Sequence, residues 1–338
     1  MRARVRVGLA VALLFVAPLG AHAQSKVGTT FGDFLLIEPS ARIAGMGNAG
    51  VTLDFGIESA YYNPASIGRL GGWAVQFDHA AWFADIAYDY VAVGLPLGKW
   101  GNGVVSITHL GSGDMDVRTV EQPLGTGEQF NVSDLAVGLG YGLEITDRFV
   151  AGGQMTLAQE RIWHSTAGAV MFNFGALYRT SPNGLRLGAS LSNFGTGSQF
   201  DGRDLMILYD QDPSRFGDNN ALPGDAQTNS FGVPVLFRAG LGQRFSLSSD
   251  ARLDVVVDAF HPNNNTESIS AGTELELRKL LALRAGYQNL FQQDSEVGLT
   301  LGGGILGTQN GFRYNIDYAW ADEGRLGNAQ RFSLGLHF

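Results

Sequence analysis

The chain has 338 residues, a formal net charge of −9 and no cysteine. An acidic balance excludes nucleic acid as the partner, and the missing cysteine excludes a disulfide framework and thiol chemistry. Glycine is abundant, 47 residues against 10 prolines, and no Pro-rich or polar low-complexity tract accompanies it. That is a composition of turns and close backbone approaches rather than of disorder.

Residues 1–23 read as a secretory signal peptide. Arg2, Arg4 and Arg6 form a basic start, GLAVALLFVAPLG is a short apolar run, and Ala21-His22-Ala23 is an A-x-A cleavage pattern. The apolar run falls short of the ~20 residues that a membrane-spanning helix needs. Residues 24–71 form a second unit, rich in small residues and without alternation. Ser40–Gly47 has the length of a short helix, and Asn63 before Pro64 is an N-cap followed by proline at N1, opening a second short helix through Ile67.

From residue 72 to the end, short runs alternate apolar and polar residues with period two, which no helix does. Fourteen such strands are predicted near 72–83, 86–96, 102–112, 132–144, 147–160, 168–180, 184–194, 231–245, 250–261, 267–278, 280–290, 295–305, 311–321 and 329–338. In FRYNIDYAW, Phe312, Tyr314, Ile316, Tyr318 and Trp320 share one face. In the closing RFSLGLHF, Phe332, Leu334, Leu336 and Phe338 share one face up to the last residue. The links GLPLGKWG, EITD, TSPN, SLSS, RK and LGTQ are short, whereas the alternate links, above all 112–131 and 195–230, are longer or more polar.

Short turns on one side and long loops on the other, with strands of about ten residues, are the pattern of a transmembrane barrel. Lipid then covers the apolar faces, and closure removes the sheet edges. The expected fold is all-β: a 14-stranded antiparallel transmembrane β-barrel over 72–338, with 24–71 folded into its lumen as a helical plug or hatch. Gly138, Gly140, Gly142, Gly152, Gly188, Gly240 and Gly242 fall on inward faces, where they let a plug backbone come close. Tyr314, Tyr318 and Trp320 suit a headgroup-level aromatic girdle.

The charges on the other face belong to the lumen: Arg186, Arg238, Arg252, Asp254, Asp258, Glu274, Glu276, Arg278, Arg284, Arg313, Asp317 and Arg331. Arginine dominates, with Lys26, Lys99 and Lys279 the only lysines, and guanidinium forks suit fixed bidentate pairing. Arg42 and Asp54 of the plug are natural partners for them. An ion-paired interior that holds the plug is one reading; a lumen that binds an ionic head group or forms a permeation path is the other. The long loop carries an apolar tract, Leu205, Met206, Ile207, Leu208 and Tyr209, that either packs on the barrel mouth or forms a docking or ligand surface. Asp210-Gln211-Asp212 lacks the spacing of a calcium loop, so no metal and no cofactor are expected. No catalytic motif is present, and the glycine runs GLGYG and LGGGIL lie inside strands, out of context for a dinucleotide fingerprint.

The plug segment SARIAGMGNAGVTLDFGIESAYYNPASIG resembles the N-terminal signature of the PorV/PorQ family, related to the FadL-type long-chain fatty-acid transporters. The matching residues are Ser40, Ala41 and Arg42, then Gly45, Met46, Gly47 and Ala49, then Asp54, then Tyr62, Asn63, Pro64 and Ala65. SLSNFG at 190–195, Asp258 to Pro262 and LALRAGYQ at 281–288 match the family's style. The resemblance implies a FadL-like barrel of the bacterial outer membrane with an N-terminal hatch. It also implies association with type IX secretion, with secretion subunits or cargo C-terminal domains as partners bound through the outer loops. The alternative it leaves is an outer-membrane transporter of hydrophobic small molecules, with lipid as the only constant partner.

Overall fold

In the computed structural model the described residues are 28–83, 86–181, 183–212, 214–215, 217, 221–292 and 295–338; the predicted signal peptide lies outside them. Fourteen antiparallel strands build one wall: β1 (Ala74–Ala81), β2 (Ala87–Pro96), β3 (Asn102–Gly111), β4 (Val132–Thr146), β5 (Phe149–Ile162), β6 (Ser165–Arg179), β7 (Leu185–Gly195), β8 (Leu236–Ser246), β9 (Ala251–Pro262), β10 (Ser268–Leu277), β11 (Leu281–Leu290), β12 (Leu299–Gln309), β13 (Phe312–Asp322) and β14 (Asn328–His337). Each strand pairs with its sequence neighbours. The ring closes where β1 pairs β14, with Phe77 opposite Leu334 and Asp78 opposite Ser333. Among the described residues no helix is long and apolar enough to cross a membrane; the crossing is made by strands.

The pleat decides what each residue meets. On the outside stand Phe77, Leu139, Phe174, Leu241, Leu283 and Ile316, each between 44 and 57% exposed. Such a band has no place in water and is what hydrocarbon covers. On the inside the neighbours of these residues are buried: Asp78, Arg238, Arg284 and Asp317 are all at or below 4%. The last strand follows the same rule, with Phe332 and Leu334 outward and Arg331 and Ser333 inward. The Phe338 amide still donates to the Trp73 carbonyl at 2.8 Å, so pairing runs to the final residue.

Residues 30–70 occupy the interior. The segment begins at the long-loop end, where the Phe31 amide donates to the Gly232 carbonyl, and descends to the short-turn end before entering β1. Its regular pieces are a 3-10 turn (Asp33–Leu36), one α-helical turn, α1 (Ala41–Ala44), and two further 3-10 turns (Gly56–Ser59 and Pro64–Arg69). Asn63 is the N-cap of the last of these: its side chain accepts from the Ala65 amide, and Pro64 fills N1.

The plug backbone lies directly on glycines of the wall. Gly152 and Gly175 lie against Asn63, Pro64 and Ala65; Gly140 and Gly142 against Ile67 and Gly68; Gly188 against Val51; Gly272 and Gly286 against Met46 and Gly47. A β-carbon at Gly272 would overlap the Met46 carbonyl, and Gly47 itself has a positive φ of 69°. Replacing Gly272 by Val is expected to unseat this turn of the plug at a cost of about 1–3 kcal/mol. The check is the urea midpoint in detergent micelles. Gly103→Val, on the outer face with no neighbour of its β-carbon closer than 3.7 Å, is the control that leaves the midpoint in place.

Candidate functional site

The interior is organised around buried ion pairs between plug and wall. Arg42, on α1, points a bidentate fork at Glu274 of β10, with Nε to Oε2 at 2.8 Å and Nη2 to Oε1 at 2.7 Å. The same carboxylate accepts from Arg284 Nε of β11 at 2.6 Å, and Arg284 Nη1 lies 2.7 Å from Asp317 of β13. Asp317 also accepts from Asn315 at 2.6 Å. Four charges thus alternate in sign across one plug helix and three strands. The Arg42 guanidinium rests 3.5 Å from the centre of the Phe55 ring, so its second face is covered by an aromatic.

Two further groups join it. Asp254 of β9 accepts from Arg186 of β7 at 2.6 Å and from Arg244 of β8 at 3.0 Å, and Arg186 reaches Asp54 of the plug at 3.5 Å. Glu38 of the plug accepts from Arg238 of β8 at 2.8 Å. Asp258 holds no guanidinium; it accepts the Val51 backbone amide at 2.8 Å. Neutral ties fill the gaps. Ser333 accepts the Ala41 amide and donates to Asp78; Asn63 donates to the Val51 and Ala176 carbonyls, and Asn102 to the Ile67 carbonyl.

The plug-motif residues therefore lie together on the inner wall. Ser40, Met46, Tyr62, Asn63 and Pro64 are buried; Arg42 and Asp54 pair with the wall; Gly45 and Gly47 lie against it. Of the lumen charges, Arg186, Arg238, Asp254, Asp258, Glu274, Arg284, Asp317 and Arg331 are interior. Arg252 and Arg313 stand instead at the short-turn mouth, Arg252 half exposed beside Glu276 and Arg313 exposed. Arg278 is not in the lumen: it sits in the β10–β11 turn with a positive φ of 52°, because its strand ends at Leu277.

Among the described residues two open cavities flank the plug. One of about 390 Å³ opens at the short-turn mouth and is charged, lined by Arg42, Asp54, Glu58, Arg244, Glu276 and Arg313 among others. One of about 320 Å³ opens at the long-loop mouth between the plug and β8–β11, and six side-chain amides are among its lining residues. Beside the latter an apolar chamber is filled from within. Phe31, Phe34 and Leu35 pack on Ala136, Ala158, Ala167, Met171 and Val233, with Phe200, Phe231 and Val235 at its edge. The tract Met206–Tyr209 does not pack on the mouth. It pairs with Leu222–Asp225 as a free two-stranded ribbon, Leu208 75% and Met206 64% exposed. No group of three or more metal-ligating side chains is found among the described residues.

Glu38, Glu160, Arg244 and Asp78 take part in the interior yet are not among the residues predicted for the site. Arg244 shares the inward parity of Arg238, Gly240 and Gly242, so the alternation carries its signal. Glu38 lies in a segment without periodicity and has none. The ion-pair groups are not equivalent in energy. Arg284→Met leaves Glu274 and Asp317 buried against too little positive charge and is expected to cost about 3–5 kcal/mol. Arg252→Met, at the wet mouth, should cost about 0–1 kcal/mol. Urea unfolding of both variants in micelles measures the difference.

No family model matches the chain, and no curated protein matches it. Solved structures do. The toluene transporter TbuX of Ralstonia pickettii superposes with a TM-score of 0.56 at 13% identity, covering 89% of this chain and 97% of that one. The toluene transporter TodX of Pseudomonas putida gives 0.55 at 13% identity, over 88% and 96% of the two chains. The monoaromatic hydrocarbon channel CymD gives 0.53 at 12% identity, over 89% and 97%. At these identities the likeness is one of architecture, and the chain shares the fold of these hydrocarbon-transporting barrels.

Proposed function

We propose that this protein is a FadL-like outer-membrane barrel that admits hydrophobic small molecules, with the long-loop end outside the cell and the plug as its gate. The observation that carries the reading is the apolar chamber at the long-loop end. The wall there is cut back to alanine at Ala136, Ala158 and Ala167, and the space is taken by three plug side chains, Phe31, Phe34 and Leu35. This upstream stretch is held by lighter ties than the rest of the plug. They are the Phe31 amide on Gly232, the Gly32 amide on Glu160, and a Thr30–Asp33–Asn264 cluster. From Glu38 onward the guanidinium–carboxylate pairs take over. An apolar compartment closed by a lightly held apolar segment suits a guest that competes for the same surface. The shared fold with toluene and monoaromatic hydrocarbon transporters supports the same class of cargo. No catalytic role is assigned to the chain.

A second reading, a PorV/PorQ-type component of type IX secretion that binds secretion subunits or cargo C-terminal domains, is favoured by the plug-motif resemblance and by the exposed Met206–Tyr209 ribbon. Uptake of radiolabelled toluene by cells of a transporter-deficient Gram-negative host separates the two. Expression of the wild-type barrel is expected to raise entry over empty-vector cells. Phe34→Ala, which opens a dry apolar hole of the kind that takes up benzene-sized guests, should bind toluene more tightly in micelles. Entry no faster than in empty-vector cells, together with recovery of secretion subunits from native outer membranes in a ribbon-dependent pulldown, would move the assignment to the second reading.

A further inference from the structure

The cavity at the long-loop mouth has a chemistry that hydrophobic transport does not use. Its wall carries six side-chain amides: Asn48 from the plug, Asn264 and Asn265 from the β9–β10 loop, and Gln288, Asn289 and Gln292 from β11 and the loop after it. One of them, Asn289, is there because the strand is irregular. Between β10 and β11 the register slips, so that two residues of β11, Gln288 and Asn289, lie between the partners of Ile269 and Ala271, and Asn289 takes a positive φ of 57°. In a regular strand Gln288 and Asn289 would face opposite sides. The bulge turns Asn289 into the cavity that Gln288 already faces, the kind of re-aiming that bulges perform next to sites.

The polar groups in this cavity are not used up by the fold. The side-chain amides of Asn289 and Gln292 make no hydrogen bond with any described residue, and Asn48 Oδ1 and Thr266 Oγ1 are shielded from solvent without a partner. The two carboxylates at its inner end are already committed, Glu38 to Arg238 at 2.8 Å and Asp33 to Thr30 and Asn264. What remains is a set of neutral groups that both donate and accept, beside an apolar side made by Leu236, Phe260 and Pro262. The volume, about 320 Å³, is at the lower end of the range of small-molecule sites, ~300–1,000 Å³.

We propose that this cavity is a binding site for a saccharide. Sugar hydroxyls donate and accept in pairs, as carboxamides do, and carry no charge that the committed carboxylates would have to answer. One face of a pyranose ring is a C–H surface that suits the Phe260–Pro262 side. An apolar guest would bury the free amides without partners, and an anionic one would find no cationic side chain in the described lining. The site is separate from the Phe31–Phe34–Leu35 chamber and does not depend on the transport reading.

The test is saturation-transfer difference NMR on the mature barrel in a micelle of sugar-free detergent. The probes are the methyl glycosides of glucose, galactose, mannose and N-acetylglucosamine. Transfer to the ring protons of at least one glycoside is expected. Gln292→Leu and Asn265→Leu, both at the open lip, should each weaken it about tenfold, the factor for roughly one hydrogen bond. The urea midpoint in micelles is to be unchanged in both variants, which shows that they fold. Absence of transfer from all four glycosides to the wild-type protein overturns the proposal. So does transfer that both variants retain in full, since the sugar then sits elsewhere. Displacement of the glycoside by toluene would likewise overturn it, by merging this cavity with the apolar chamber.

Discussion

A guanidinium sealed between two carboxylates sets the terms for the interior. Arg284 has no exposed side-chain surface, and its partners Glu274 and Asp317 have 2% and none. Removing such groups from water costs several kcal/mol per ion, recovered only when every charge finds its counterpart. Two carboxylates facing one wall arginine leave a deficit, and it is the plug that supplies the missing cation, Arg42. The wall alone is therefore electrostatically incomplete. The plug is a component of the barrel's interior rather than a segment stored in it. The same logic holds on the adjoining strands, where Asp254, the register partner of Glu274, sits between Arg186 and Arg244 and the surplus positive charge turns to Asp54.

Close backbone contact makes these pairs geometrically possible. An arginine fork is short of reach if the plug is kept away by side chains, and the wall removes them where it matters. Gly272 and Gly286 admit Met46 and Gly47, which brings α1 within reach of Glu274; Gly188 and Gly240 admit Val51, which brings its amide to Asp258. Glycine in a strand weakens it and gains nothing by itself. Here the loss is distributed over strands whose outer faces remain largely apolar, so lipid packing and the closed hydrogen-bonded ring carry the wall. Beyond the plug, the charged short-turn mouth and the amide-lined long-loop mouth differ in kind. The plug separates two compartments of different polarity.

Much of this was legible in the alternation. Fourteen strands, their short-turn and long-loop sides, the inward glycines and the helix opened by Asn63 and Pro64 all follow from period two and from capping chemistry. The lumen charges were readable by parity for as long as a strand lasts. Arg278 shows the limit: parity continued past Leu277 assigns it inward, but the chain has already entered a left-handed turn. Apolarity alone could not settle the fate of Leu205–Tyr209, because pairing with Leu222–Asp225 lifts the tract off the mouth into a ribbon of its own. The plug was legible as a compact small-residue unit but not as a set of contacts. Glu38 and Glu58 meet Arg238 and His337 across some 200 residues or more, and nothing local encodes such a pairing.

Two of the bulges explain a deeper limit of reading by alternation. In β7 the pair Ser192-Asn193 stands opposite a single residue of β6, and in β11 the pair Gln288-Asn289 does the same against β10. Both asparagines adopt the left-handed conformation that this residue tolerates best after glycine. Each bulge changes the parity of its strand at one point, so that two consecutive residues face inward. Below the bulge, regular pairing keeps Arg186 and Arg284 aimed at their carboxylates. At the bulge, Ser192 accepts from Arg238 while the Asn193 side chain reaches the Pro234 carbonyl, and Gln288 takes Asn48 while Asn289 faces open space. A strand with strict alternation can serve the ion pairs or the long-loop mouth with adjacent residues, but not both. The single inserted residue lets one strand do each at a different height.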